Sequence, residues 1–185
     1  CGLTLPAVLI ELEGGKWHAA QTAFERMTVE FGGGDVVVTS DPDVVARADR
    51  VVLPGDGAFP HCRGELFGRT ALAEAIADAV TTRAVPFLGI CVGMQMLATT
   101  GHEYAPTPGF DWISGDIRPI NAPGQKIPHM GWNDLVIETP HPVLDCIQTG
   151  DPAYFVHSYA IDLLYTHLTL PTQRTLSLMS ASDIL

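Results

Sequence analysis

Positive charge is scarce in this chain: 10 lysines and arginines stand against 21 aspartates and glutamates, a formal charge of -11 with a pI near 4.8. No basic cluster is available to neutralise phosphates, which argues against nucleic acid and anionic membranes and leaves small molecules or a protein as partners. Cysteine is sparse too. Cys1, Cys62, Cys91 and Cys146 form no C-x-x-C pair and no metal-ligand spacing, so no metal is expected and a reducing, cytoplasmic setting is the simpler context. His61-Cys62 and His102-Glu103 likewise lack the i, i+4 pairing of a zinc helix. No apolar run approaches the ~18 residues of a membrane span, and Gly2 to Ile10 lacks the basic start of a signal peptide.

What is present describes a globular domain. A length of 185 residues with 46% apolar content suits one domain with a sizeable core. Apolar runs alternate with helical patterns: Ala7 to Leu12, then Trp17 to Phe31; Val36 to Thr39; Val51 to Leu53; Ala71 to Val80; Val85 to Ile90, then a helix after Cys91 through Met96-Leu97-Ala98. Near-continuous Val/Ile/Leu strands between helices predict a parallel sheet covered on both faces, with ligands at the carboxyl ends of its strands. Gly32-Gly33-Gly34 precedes a strand and reads as a helix stop, not a phosphate loop. After Gly101 the texture changes to Pro/Gly-rich loops with short strands near Ile117 to Ile120, Asp134 to Ile137 and Ala153 to Tyr159, an expected antiparallel annex covered by Phe110, Trp112 and Trp132.

The chemistry concentrates in Gly89-Ile90-Cys91-Val92-Gly93-Met94-Gln95, where a buried strand turns sharply into a helix. Glycines on both sides of the cysteine permit a tight turn that lifts the thiol clear of the sheet, and the amides of the helix start favour a thiolate. Such a nucleophile suits acyl transfer through a thioester. A second strand end, Leu53-Pro54-Gly55-Asp56-Gly57-Ala58-Phe59, carries a glycine-rich segment that by itself reads as an ordinary turn, with Gly57 34 residues before Cys91.

These two segments resemble the G-x-C-x-G-x-Q signature and the P-G-x-G oxyanion loop of class I, triad-type glutamine amidotransferases. Lys126-Ile127-Pro128-His129-Met130-Gly131-Trp132-Asn133 and Tyr154-Phe155-Val156-His157-Ser158-Tyr159 resemble, in that order, the glutaminase subunits of imidazole glycerol phosphate synthases. The resemblance covers residues 7 to 160. It implies an α/β, flavodoxin-like three-layer sandwich with a parallel central sheet and a small antiparallel annex. It implies Cys91 as nucleophile, backbone N–H groups of Asp56 and Val92 as oxyanion hole, and Gly55, Gly57, Gln95, Ser158 and Tyr159 at the glutamine. Asp56 departs from the apolar residue common at its position, but only its backbone need act. His129, Met130, Gly131, Trp132 and Asn133 would face a (β/α)8-barrel cyclase, which receives the ammonia; no cofactor is implied. Two other readings share part of the pattern: a different class I amidotransferase, and a non-catalytic module that only docks to a partner.

Three stretches depart from the family pattern. Its base and acid belong to a His-Pro-Glu segment after the Tyr159 strand, and this chain contains no His-x-Glu; His141-Pro142 imitates the first half, but Val143 replaces the acid. The family's acyl-enzyme turnover is therefore expected to be impaired. From Ile161 to Leu185 there is no glycine, while residues 1–160 hold all 18, so the domain is expected over 1–160, C-terminally truncated, with an unrelated tail over 161–185. Near the front, Glu13-Gly14-Gly15-Lys16 stands where the family's turn carries an Asn, and losing that cap would cost about 1 kcal/mol.

Overall fold

The structure is a computed structural model and describes residues 7–12, 17–138, 140–141 and 144–162. The turn at Glu13 to Lys16, the Pro142-Val143 pair and residues 163–185 of the tail lie outside the described residues. Four parallel strands, β1 (Ala7–Ile10), β2 (Val36–Thr39), β3 (Arg50–Gly55) and β4 (Phe87–Cys91), form a sheet in the order β2-β1-β3-β4. The chain steps from β1 to β2 in one direction and from β2 back across β1 to β3 in the other. Right-handed crossovers then place α1 (Trp17–Phe31) on one face and α2 (Pro42–Val45), α3 (Phe59–Gly68) and α4 (Thr70–Ala77) on the opposite one. Contacts agree, with α2 and α3 packed on α4 and α1 touching β2 and β3. This is the expected three-layer arrangement.

Burial follows from the layers. Val8, Leu9 and Ile10 are consecutive and all fully buried, as a strand covered on both faces requires. Val8, Ile10, Val51 and Leu53 join Phe59, Leu66, Leu72 and Ile76 in one core cluster, and each such aliphatic or aromatic side chain contributes roughly 1.5–3 kcal/mol by leaving water. Helix α1 stops where the glycine run predicts, with Gly32 at φ +71°. No helix among the described residues is long and apolar enough to cross a membrane.

The second half differs from expectation in several respects. The helix after Cys91 is a single turn, α5 (Val92–Gln95), and Met96-Leu97-Ala98 does not prolong it. Instead the Met96 carbonyl accepts from Phe110 N–H at 2.7 Å and the Leu97 carbonyl from Trp112 N–H at 2.9 Å, so tertiary pairing draws the chain into β5 (Ala98–Gly101). The annex is two sheets. β5, β6 (Thr107–Pro108), β7 (Ile113–Pro119) and β10 (Tyr159–Asp162) form one in the order β10-β7-β5-β6, and it is mixed because β5 and β7 run parallel. β8 (His129–Asp134) and β9 (Pro152–His157) form a separate antiparallel pair. The strand expected at Asp134 to Ile137 thus lies earlier in the chain, and β10 runs over Ile161 and Asp162. Phe110 and Trp112 stack at 4.2 Å against the core, whereas Trp132 is 69% exposed and meets the Tyr154 ring edge-on at the surface.

Candidate active site

Cys91 closes β4 and caps α5 with φ 56° and ψ -122°, a strained backbone for a residue with a Cβ that costs about 1–3 kcal/mol. The strain persists because neighbouring glycines lock the turn in place. A Cβ on Gly93 would fall on the Leu53 carbonyl, one on Gly89 would meet the Met94 backbone, and one on Gly55 would strike the Gly93 amide. The one-turn helix therefore rests directly on the backbones of β3 and β4. In the β3–β4 register Gly55 is opposite Cys91, which puts the loop of Gly55, Asp56 and Gly57 beside the sulfur. Val92 is buried immediately after it, and Gln95 is the last residue of α5.

The electrostatics correct one expectation. Cys91 is an exposed residue, yet protein atoms around its sulfur desolvate it and push the thiol above its ordinary pKa; the Val92 backbone hydrogen bond pulls it down, and the Asp56 charge pushes it up again. A helix of one turn has too few aligned peptides to reverse this, so the resting group is a thiol, not the thiolate expected from the helix start. Among the described residues, no histidine is hydrogen-bonded to Cys91.

Glu103, weighed from sequence only as half of a metal pair, has a different place in the structure. Its Oε2 accepts from Phe59 N–H at 2.7 Å, at the start of α3, and its charge acts on both Cys62 and Tyr159. Burial first, then the Glu103 and Tyr104 charges, raises the Tyr159 hydroxyl above its ordinary value. The available signal was position, because Glu103 follows a strand end; that strand was hidden by the expectation of a longer helix. Ser158 forms the bend between β9 and β10, its carbonyl accepting from Ile120 N–H at 2.9 Å. Among the described residues no hydrogen bond joins Ser158 or Tyr159 to Cys91, so the structure unites Cys91, Val92, Gly55, Asp56 and Gly57 more closely than it does these two.

The segment His129 to Asn133 is a strand, and its residues alternate. Met130 and Trp132 are exposed opposite Val156 and Tyr154, while His129, Gly131 and Asn133 take the other face. On that face His157 Nδ1 lies 3.2 Å from the Tyr159 carbonyl, and its Nε2 lies 2.9 Å from His129 Nδ1. The Tyr159 carbonyl makes His157 Nδ1 the donor, so the neutral His157 ring accepts at Nε2 from His129 Nδ1, and His129 Nε2 lies 3.4 Å from Asn133 Oδ1. Burial, then the neighbouring His129 charge, lowers the His157 pKa against the raising effect of the Tyr159 carbonyl. The unfolded chain therefore takes up a proton on this ring at higher pH than the folded one does. The resulting stability is full above the ordinary histidine value of ~6.5 and is lost as pH falls through the folded value. We expect the urea midpoint to drop between pH 7 and 5.5, and to drop less in His157→Asn; parallel profiles would refute the assignment.

The chain matches the sequence profile of the glutamine amidotransferase class-I family over residues 35–184. It is 57% identical over 169 residues to the imidazole glycerol phosphate synthase subunit HisH of Ruegeria pomeroyi, covering 90% of this chain and 77% of that protein. The same subunit of Cereibacter sphaeroides is 58% identical over 154 residues, 82% of this chain and 73% of its own. That of Bradyrhizobium diazoefficiens is 46% identical over 160 residues, 83% and 74% of the respective chains.

Proposed function

We propose, for a chain that belongs to the glutamine amidotransferase class-I family, that it is the glutaminase subunit of an imidazole glycerol phosphate synthase, serving histidine biosynthesis by releasing ammonia from glutamine. The observation that carries the chemistry is Cys91 at a positive φ, opposite Gly55 in the β3–β4 register. The Cys91 sulfur attacks the γ-carboxamide carbon of glutamine; the C–N bond breaks, ammonia leaves, and water later cleaves the γ-glutamyl thioester. Backbone N–H groups of Val92 and of the Asp56 loop face the oxyanion, a geometry worth more than side-chain donors because it needs no reorganisation. Gly55, Gly57, Gln95, Ser158 and Tyr159 surround the amino-acid part of the substrate.

The partner we propose is a (β/α)8-barrel cyclase, seated on the exposed face of the β8–β9 pair. Met130, Trp132, Tyr154 and Val156 are each more than half exposed and form one continuous apolar patch, with the Trp132 and Tyr154 rings 5.5 Å apart. Exposed aromatic clusters of this kind anchor interfaces. Mixing the chain with such a cyclase should give a complex by size-exclusion chromatography, and Trp132→Ala should weaken it by about 2 kcal/mol or more. A complex indifferent to Trp132→Ala would move the interface elsewhere, and failure of the wild-type chain to bind would remove the subunit assignment.

A further inference from the structure

Cys62 occupies the first turns of α3, is 3% exposed, and its Sγ donates to the Asp56 carbonyl oxygen at 3.0 Å. Burial raises this thiol above its ordinary value; the bond to Asp56 lowers it, and the Asp56, Cys91 and Glu103 charges raise it further. It keeps its proton at neutral pH and acts as a donor, not as a nucleophile or ligand. The accepting carbonyl belongs to the peptide that carries the Gly57 N–H, and in a planar trans peptide the two groups point in opposite directions. Drawing the oxygen toward α3 therefore turns the Gly57 N–H away from α3. Gly57 itself offers little resistance to rotation: it has φ +90° and nothing within 4 Å of where a Cβ would stand. The base of the anchor is rigid by comparison. Phe59 N–H is held by Glu103, and the Phe59 ring fills the space that a Cβ on Gly101 would need.

We propose that Cys62 is a positioning residue for acyl transfer: its S–H fixes the Asp56–Gly57 peptide in one orientation and so holds the Gly57 N–H, and with it the turn that presents the Asp56 N–H to the oxyanion, before glutamine arrives. The proposal rests on the glutaminase reading. It assigns the two thiols opposite duties, Cys91 reacting and Cys62 remaining protonated to hold the loop that stabilises the reaction.

The test compares two chemistries at Cys91 in the full chain. In the first, γ-glutamyl p-nitroanilide acylates Cys91: an S–C bond forms, the C–N bond breaks, and p-nitroaniline leaves with the thiol proton, giving a burst that requires the oxyanion donors but not deacylation. In the second, iodoacetamide alkylates Cys91 without an oxyanion, followed by peptide mass spectrometry. Cys62→Val, which keeps the volume and removes the donor, should slow the burst about ten-fold while changing alkylation by less than about two-fold. Cys62→Ser, which keeps a donor, should recover most of the burst. An unchanged burst in Cys62→Val, equal losses in both chemistries, or no recovery in Cys62→Ser would overturn the proposal. A wild-type chain with no burst would instead overturn the glutaminase reading, and the role of Cys62 with it.

Discussion

Alanine in place of Cys91 is expected to lower acyl transfer from glutamine and γ-glutamyl p-nitroanilide by a factor of ~10⁴ or more, leaving no thioester adduct in intact-mass spectra. The other thiol beside the Asp56 loop among the described residues, Cys62, is buried and engaged with the Asp56 carbonyl, so it does not take its place. The loss should leave the fold and the exposed β8–β9 face unchanged, so complex formation with the proposed cyclase should survive. The raised thiol adds a second, pH-resolved expectation. Alkylation of Cys91 should keep accelerating from pH 7 to above 9 as the thiolate fraction grows; a plateau below pH 8 would show an activated cysteine with a base that these residues do not supply. Turnover that disappears in Cys91→Ala yet persists at full rate when His141 and His157 are both replaced would refute the expected slow deacylation.

The largest expected effect on stability comes from Gly93→Ala. A single methyl there would occupy the position of the Leu53 carbonyl, a strand backbone atom with no room to move, so the elbow must lift off β3. Overpacking against rigid backbone, with the turn's strain no longer held, should destabilise the protein by about 3 kcal/mol or more, measured by chemical denaturation. Gly64→Ala is the control. It lies inside α3 with nothing within 4 Å of the added methyl, and alanine should stabilise the helix there by up to ~1 kcal/mol. Equal effects at the two positions would mean that α5 does not depend on close contact with the sheet.

Much of the parallel layer was legible from sequence because its signals are local. Trp17 to Phe31 carries a helical period and ends at Gly32, and Val36 to Thr39 is an unbroken β-branched run; both elements appear with those bounds. Helix α3 was not legible. Phe59-Pro60-His61-Cys62-Arg63-Gly64-Glu65-Leu66-Phe67-Gly68 contains a proline and two glycines, and its only periodic signal is Phe59, Cys62 and Leu66, the three residues it buries. Its proline falls in the first turn, where no hydrogen bond is lost. The strand β5 was masked for a different reason, since Met96-Leu97-Ala98 favours a helix and only pairing with residues 110–113 decides otherwise. At the site, Cys91 and the Gly55 to Gly57 loop were visible because chemistry and backbone geometry demand particular residue types at particular spacings. Glu103 and Cys62 were not, because their contacts span 44 and 6 residues and depend on how α3 sits over the strand ends.

The alternation of β8 divides its residues into two independent registers of evolutionary freedom. Changes at Met130 or Trp132 alter the outward face proposed for the partner and leave the His129–His157 contact on the other face in place. Changes at His129 reach His157 and, through it, the Tyr159 carbonyl. The outward face and the His129–His157–Tyr159 network thus occupy the even and odd positions of one short strand, and a shift of register by a single residue would exchange them.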